Sequence, residues 1–367
     1  MAEKAIRLGG EATTDAIVSA VDALYTEHSF DEKDFTLKHN DDEIAVDSNF
    51  AAQSFWKDAL IRFFGKKSAV LGLVLIVVIV LLAIFGPGMN AYTYSGQDLS
   101  QKNFAPRVPG IENFGILDGS EKISTTTGSK TVNAYVEKGK EDVYYWFGSD
   151  LYGRDIWTRT WEGARVSLII AVAAAVIDMV IGMSYGLISG YFGGKVDMVM
   201  QRFLEVANGI PRLVIVTLLL LVLQPGMVTI IFALMLTEWV GMSRIARAEM
   251  LKLKDQEFVL ASRTLGAGSF FIIFKEVLPN IIGPIITQVM FSIPTAIFTE
   301  AFLSFVGLGI PVPQCSLGSL ISELYNSFTT HPYQIVPPIV VMSLLMLSFN
   351  LVADGLREAL DPKMKSM

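Results

Sequence analysis

Between Ser68 and Phe85 the chain carries no charged residue, and Lys66 and Lys67 stand immediately before that run. About twenty apolar residues are needed to cross the hydrocarbon core of a bilayer as a helix. Inside that core the backbone N–H and C=O groups find no water, so a crossing segment must satisfy them itself, and helix is the default. Five further apolar segments follow, near Val166–Tyr191, Leu213–Leu223, Met227–Ile245, Leu278–Val306 and Ile335–Leu351. The segment at Leu213 is short, and the one at Leu278 is interrupted by Pro284 and Pro294. The sequence therefore predicts an all-α polytopic membrane protein of about six spans. A composition that is 52% apolar agrees. The first apolar stretch starts too late for a cleaved leader, so it reads as a retained span.

The polar parts divide the chain. Residues 1–50 form an acidic tail, with acids outnumbering bases about three to one. Within it, Ile17, Val21 and Leu24 at helical spacing predict a short amphipathic helix over Glu11–His28. Residues 51–67 interleave Phe55, Trp56, Leu60, Phe63 and Phe64 with Lys57, Arg62, Lys66 and Lys67, a pattern suited to a helix lying among lipid headgroups. The first span covers 68–86. An insert and pre-span segment fill 87–165, with a β-hairpin expected over Ile123–Val136, turning near Thr127-Gly128-Ser129. The remaining spans occupy 166–355, and a short tail covers 356–367.

Charge sets the expected topology. Lys57, Arg62, Lys66 and Lys67 precede span one. Lys195, Arg202 and Arg212 follow span two. Arg244, Arg247, Lys252, Lys254, Arg263 and Lys275 follow span four, and Arg357, Lys363 and Lys365 follow span six. The loops Gln224-Pro225-Gly226 and Gly309–Gln334 carry no Lys or Arg. The positive-inside rule then places both termini in the cytoplasm of a plasma or inner membrane, with the insert outside.

Several chemistries find no residues. The fragment Gly193-Gly194-Lys195-Val196 lacks the leading glycine and the magnesium-holding hydroxyl of a phosphate loop. His28, His39 and His331 are scattered, so no metal site is expected. There is no nucleophile elbow, and a net charge of -7 argues against nucleic acid as a partner. A single cysteine, Cys315, excludes an internal disulfide. No covalent catalysis is expected of this chain.

One polar stretch after span four has the look of a docking element. The stretch Asp255–Gly268 reads as a short helix with Phe258, Ala261 and Leu265 on one stripe, followed by a turn. The small residues Gly266, Ala267 and Gly268 then permit a reversal, and a second amphipathic piece covers Phe270–Lys275. The whole hairpin lies near 250–277. It resembles the coupling motif of ABC-importer permeases, Glu-Ala-Ala-x3-Gly-x9-Ile-x-Leu-Pro: Ala261, Ser262, Gly266, Leu278 and Pro279 fall on the pattern, and Glu257 begins its peptide-permease form. Leu260 and Glu276 depart from it. Phe147–Asp155, Gly163–Leu168, Glu300–Gly309 and Asn350–Pro362 resemble further blocks of the C-type permeases of oligopeptide and dipeptide importers. A Trp expected in the Gln314–Gly318 turn is absent. The likeness covers residues 54–367.

The resemblance implies the fold of a type I importer permease and a five-part machine: this chain, a second homologous permease, two ATPase subunits that hold ATP and Mg, and an extracellular peptide-binding protein. It implies coupling to the ATPases through Glu257, Ala261, Ser262, Gly266, Leu278 and Pro279. The insert would meet the binding protein or a partner loop, or cap the entrance passively. Asp178, Glu238 and Glu300 lie in spans, where an unpaired charge costs about 2.5–3.5 kcal/mol. They either line a polar path for a zwitterionic peptide or pair with Arg, Ser or backbone groups. Rival readings keep the architecture but carry nickel or another small solute, or make Asp178 and Glu238 the relay of a proton-coupled transporter, or make the chain a membrane scaffold.

Overall fold

The computed structural model describes residues 55–125 and 128–360. The acidic tail 1–50 with its expected helix, the hairpin turn at Thr127 and the tail beyond Leu360 lie outside the described residues. Among the described residues five helices are long and apolar enough to cross a membrane: Lys67–Gly88, Ile156–Phe192, Met227–Leu253, Ser269–Leu308 and Pro332–Leu360. A bent pair, Gly194–Gly209 and Arg212–Val222, makes a sixth span if taken as one. In chain order these are spans one (Lys67–Gly88), two (Ile156–Phe192), three (the bent pair), four (Met227–Leu253), five (Ser269–Leu308) and six (Pro332–Leu360). Three shorter helices matter below: α1 (Phe55–Gly65), α2 (Glu257–Thr264) and α3 (Leu317–Tyr325).

Spans four and six run past the hydropathy reading, to Leu253 and Leu360, and three other spans differ in ways that local residues explain. Span two starts at Ile156, well before Val166. The Asp155 side chain caps it, accepting from the Thr158 amide at 2.8 Å and its hydroxyl at 2.5 Å. Its first turns carry Arg159, Glu162 and Arg165, which an apolar window rejects although protein, not lipid, buries Arg159. Span three bends by 78°. Pro211 explains the break: it has no N–H to give and pushes Ile210 into extended geometry (ψ 124). Span five begins at Ser269, so the expected second limb of the hairpin, Phe270–Lys275, is the first part of a membrane helix. Pro284 and Pro294 sit inside that helix without ending it.

Small residues let spans two and four approach. Gly182, Gly186 and Gly190 form a stripe at four-residue spacing. A Cβ on Gly182 would stand 2.6 Å from the Trp239 carbonyl oxygen, and one on Gly190 2.8 Å from Met250 Cβ. One on Gly186 would fall inside the Ser243 carbonyl oxygen. In lipid, helix association gains most from such backbone proximity. Gly186→Ala is expected to cost about 1–3 kcal/mol through forced separation of the two helices, read as a lower unfolding temperature in detergent. An unchanged temperature would mean the contact is loose.

Apolar packing falls into two main clusters. One joins spans one, two, four, five and six around Ile79, Trp161, Ile170, Ile230, Ile297, Leu345 and Phe349. The other joins spans two, four and five to α2, around Leu187, Met242, Met250, Val259, Ile272 and Val277. The insert holds a two-stranded antiparallel sheet, β1 (Ser120–Thr125) and β2 (Gly128–Asn133), with Ser120 opposite Asn133 and Thr125 opposite Gly128. The hairpin thus starts three residues before Ile123 and stops short of Val136. The Asn133 side chain accepts from the Tyr135 and Val136 amides and opens a helical turn over Ala134–Glu137. A small aromatic core of Phe104, Tyr135 and Tyr145 supports the insert, with Tyr92 stacked on Tyr145 at 4.5 Å.

Candidate functional site

The segment expected to dock is built around one inward residue. On α2 only Val259 is buried, packed in the cluster that contains Ile272, Ile273 and Val277 of span five. The stripe that the sequence singled out, Phe258, Ala261 and Leu265, faces outward. Leu265 is 87% exposed, and Leu260, Phe270 and Phe271 are exposed beside it. Glu257 and Gly266 are also exposed, and Ser262 is half-buried. The helix ends in a left-handed cap. Gly266 has φ +84, its amide donates to the Arg263 carbonyl at 3.1 Å, and the Ala267 amide donates to the Ser262 carbonyl at 3.0 Å. That bond pair reverses the chain and favours glycine at this position. A Cβ on Gly266 would meet nothing within 4 Å. Leu278 and Pro279 stand apart from this surface, inside the helix of span five. A π-turn over Ile272–Val277 lies directly ahead of Pro279, which has no N–H to give the preceding turn. The Arg263 guanidinium lies over the Tyr191 ring at 5.5 Å and ties α2 to the end of span two.

The three intramembrane acids have three different surroundings. Asp178 is buried where span two widens into a π-turn over Asp178–Gly182, and its Oδ1 reaches no hydrogen-bond partner among the described residues. Glu238 forms an ion pair with Arg212 at 2.8 Å, and the same guanidinium donates to the Thr299 hydroxyl at 3.0 Å. This joins spans three, four and five. Glu300 is fully buried and meets no cation among the described residues. It accepts from the hydroxyls of Ser316 (2.5 Å), Ser304 (2.7 Å) and Ser167 (3.2 Å). Those serines belong to the N-cap of α3, to span five and to span two. Glu300 is therefore a buried tie between elements, whereas Asp178 and Glu238 lie close enough to feel each other's charge.

Residues 182–366 match the family described as "Binding-protein-dependent transport system inner membrane component", and residues 54–106 match "N-terminal TM domain of oligopeptide transport permease C". The oligopeptide transport system permease protein OppC of Bacillus subtilis is 42% identical over 85% of this chain and 91% of its own length. The chain belongs to this permease family. The dipeptide transport system permease protein DppC of Lactococcus lactis is 42% identical over 90% of the permease and 97% of that relative. DppC of Bacillus subtilis is 39% identical over 85% and 87%. A chain of the MetNI methionine ABC transporter in an inward-facing conformation aligns with 54% of the permease and 94% of itself, at 16% identity and a TM-score of 0.47.

A charge clasp that sequence reasoning missed ties the segment between the two matched stretches to α3, which lies within the second of them. Arg159, fully buried, donates to Asp150 Oδ2 at 2.8 Å and to Glu323 Oε2 at 2.8 Å. Arg154 donates to the same Asp150 oxygen at 2.6 Å and pairs with Glu323 Oε1. Two cations and two anions balance. They join the Phe147–Asp155 segment and the first turns of span two to α3. Burial alone would raise the Glu323 carboxyl; the Arg159 charge and the hydrogen bonds from Arg154 and Arg159 hold it below its ordinary range. Burial pushes Asp155, the cap of span two, the other way, against its bonds to Thr158 and Asn90. A sequence signal existed: Glu323 is the one charged residue between Gly309 and Gln334.

Proposed function

We propose that this permease imports oligopeptides or dipeptides handed over by an extracellular binding protein, driven by ATP that two separate ATPase subunits bind with Mg and hydrolyse. A second, homologous permease subunit completes the pathway. The exposed apolar face of α2, capped at Gly266, is the observation that carries this reading. Membrane proteins that stand alone have no reason to leave Phe258, Leu260, Leu265 and Phe270 uncovered beyond the bilayer ends. In chain order the basic residues that flank spans one, two, four and six fall on the α2 side, which supports a cytoplasmic reading of that side and of both termini, with the insert outside.

The linkage is mechanical. Val259 anchors α2 in the packed end of spans two and four, and span five starts only a few residues after Gly266 as one helix. A displacement of α2 by the ATPases is passed to span five and, through the Glu238–Arg212–Thr299 contacts, to the bend of span three. Asp178 and Glu238 are the path residues in this scheme, and Glu300 holds the outer half together. The names of the relatives support a peptide cargo.

Reconstitution of the permease with its partner subunits in vesicles tests the scheme. Peptide uptake should require ATP and the binding protein, and Asp178→Asn should change the ratio of basic to neutral peptide uptake. Uptake by the permease alone on a proton gradient would sink the proposal in favour of a secondary transporter, and uptake of nickel in place of peptide would replace the cargo.

A further inference from the structure

At the basic end, α1 folds back against the end of span six and leaves a cavity of about 390 Å³ lined by Arg62, Gly65, Lys66, Gly355, Glu358 and Ala359. Ala59 and Phe63 hold α1 to the bundle, and Phe63 packs with Ala69 of span one and Val352 and Ala359 of span six. The other face of α1 presents Leu60, Ile61 and Phe64 outward. A helix buried on one side by protein and apolar on the other lies in the interfacial layer of the bilayer, where phospholipid headgroups reside. The cavity therefore opens at headgroup depth.

Its polar groups are incompletely matched. Arg62 Nη2 donates to Asp58 at 3.1 Å. Arg62 Nε and Nη1 are buried and reach no acceptor among the described residues. A guanidinium has five N–H donors in a fixed fork that fits two oxygens of a phosphate. Lys66 pairs with Glu358 at the rim, where both side chains remain partly exposed and the pair can open. An oxyanion entering the cavity would draw the half-buried Arg62 side chain round so that its unused donors reach it, and would compete with Asp58 for Arg62 and with Glu358 for Lys66. Basic pockets between helices near the membrane surface are the kind of place where phosphate headgroups bind.

We propose that the cavity between α1 and the end of span six is a binding site for the phosphate headgroup of an anionic phospholipid. Arg62 is the phosphate fork, Lys66 the second cation, and Gly65 the open floor: a Cβ there would meet nothing within 4 Å. The lipid would brace α1 against span six at the point where the chain turns into span one. This site is independent of the cargo and of the coupling scheme.

Native mass spectrometry of the full chain in neutral detergent, titrated with phosphatidylglycerol or phosphatidylcholine, tests it. The wild-type chain should retain phosphatidylglycerol with a preference of about threefold or more, below the scale of two free cations because Asp58 and Glu358 already pair with Arg62 and Lys66. Arg62→Gln with Lys66→Gln should abolish the preference, and Arg62→Lys should keep part of it. Lys57→Gln, an exposed charge on the same helix outside the cavity, should leave it intact. Gly65→Leu keeps every charge but fills the cavity, and should lose the lipid. Unfolding temperatures of all variants separate loss of the site from loss of fold. Equal retention of both lipids, or a preference that survives Gly65→Leu in a folded chain, would overturn the proposal. Displacement of phosphatidylglycerol by inorganic phosphate at matched concentration would assign the site to a free anion and overturn the lipid part.

Discussion

Arg159→Met should destabilise the permease by about 3–5 kcal/mol, the cost of removing one partner from a buried charge pair. Arg159 is fully buried and contacts both acids of the clasp, so the methionine leaves Asp150 and Glu323 to share Arg154 alone. The loss should appear as a lower unfolding temperature in detergent and as detachment of α3 from span two. The double variant Arg159→Met with Glu323→Leu should recover part of the loss, because it removes the orphaned anion as well as the cation. The acid limb gives a second reading. A carboxyl held below its ordinary value of 4.5 contributes stability that is present above that value and disappears as pH falls through the lowered one. Wild-type and variant curves should therefore converge on acidification below about pH 4.5. Asp155, raised by burial, acts in the opposite direction but in both proteins, so the difference between the curves belongs to Glu323. Coincident unfolding temperatures at neutral pH would reduce the clasp to an incidental contact.

The spans were legible because lipid imposes a simple rule: long, apolar and helical. That rule failed where protein replaces lipid around a membrane helix. The first turns of span two are too polar for a hydropathy window, yet Arg159 is enclosed by Asp150 and α3. The Gly182, Gly186 and Gly190 stripe was equally present in the sequence, but a four-residue spacing of glycines names no partner until span four is seen against it. Glu300 was legible as an oddity and not as a tie, since its three serines come from positions 167, 304 and 316. The apolar stripe of α2 was legible, but which residue anchors the helix was not. Periodicity separates two faces of a helix, and the more apolar one is ordinarily taken as inward. Here a single valine suffices for attachment, and the larger apolar face is left outward because what covers it belongs to another chain under the proposed scheme.

That outward face makes Gly266→Leu the most severe coupling variant. With φ at +84, a side chain at this position costs about 1–2 kcal/mol in the left-handed region, and the leucine projects into the space where an ATPase surface would sit. The Gly266 and Ala267 amide bonds that reverse the chain would be strained, and α2 would lose its register against span five. Peptide capture by the binding protein should be untouched, because the substitution lies at the opposite end of the bundle from the insert. ATP-dependent uptake in reconstituted vesicles should fall to background, with ATPase subunits failing to co-purify or hydrolysing ATP without transport. Two companions separate backbone from bulk. Gly266→Asn, whose side chain tolerates the left-handed region, should retain partial uptake. Gly268→Ala, at an ordinary φ of -70 in open space, should retain nearly all of it. If Gly266→Leu transports as well as Gly268→Ala, the cap of α2 is not where another subunit grips the permease, and the force must enter through a different surface.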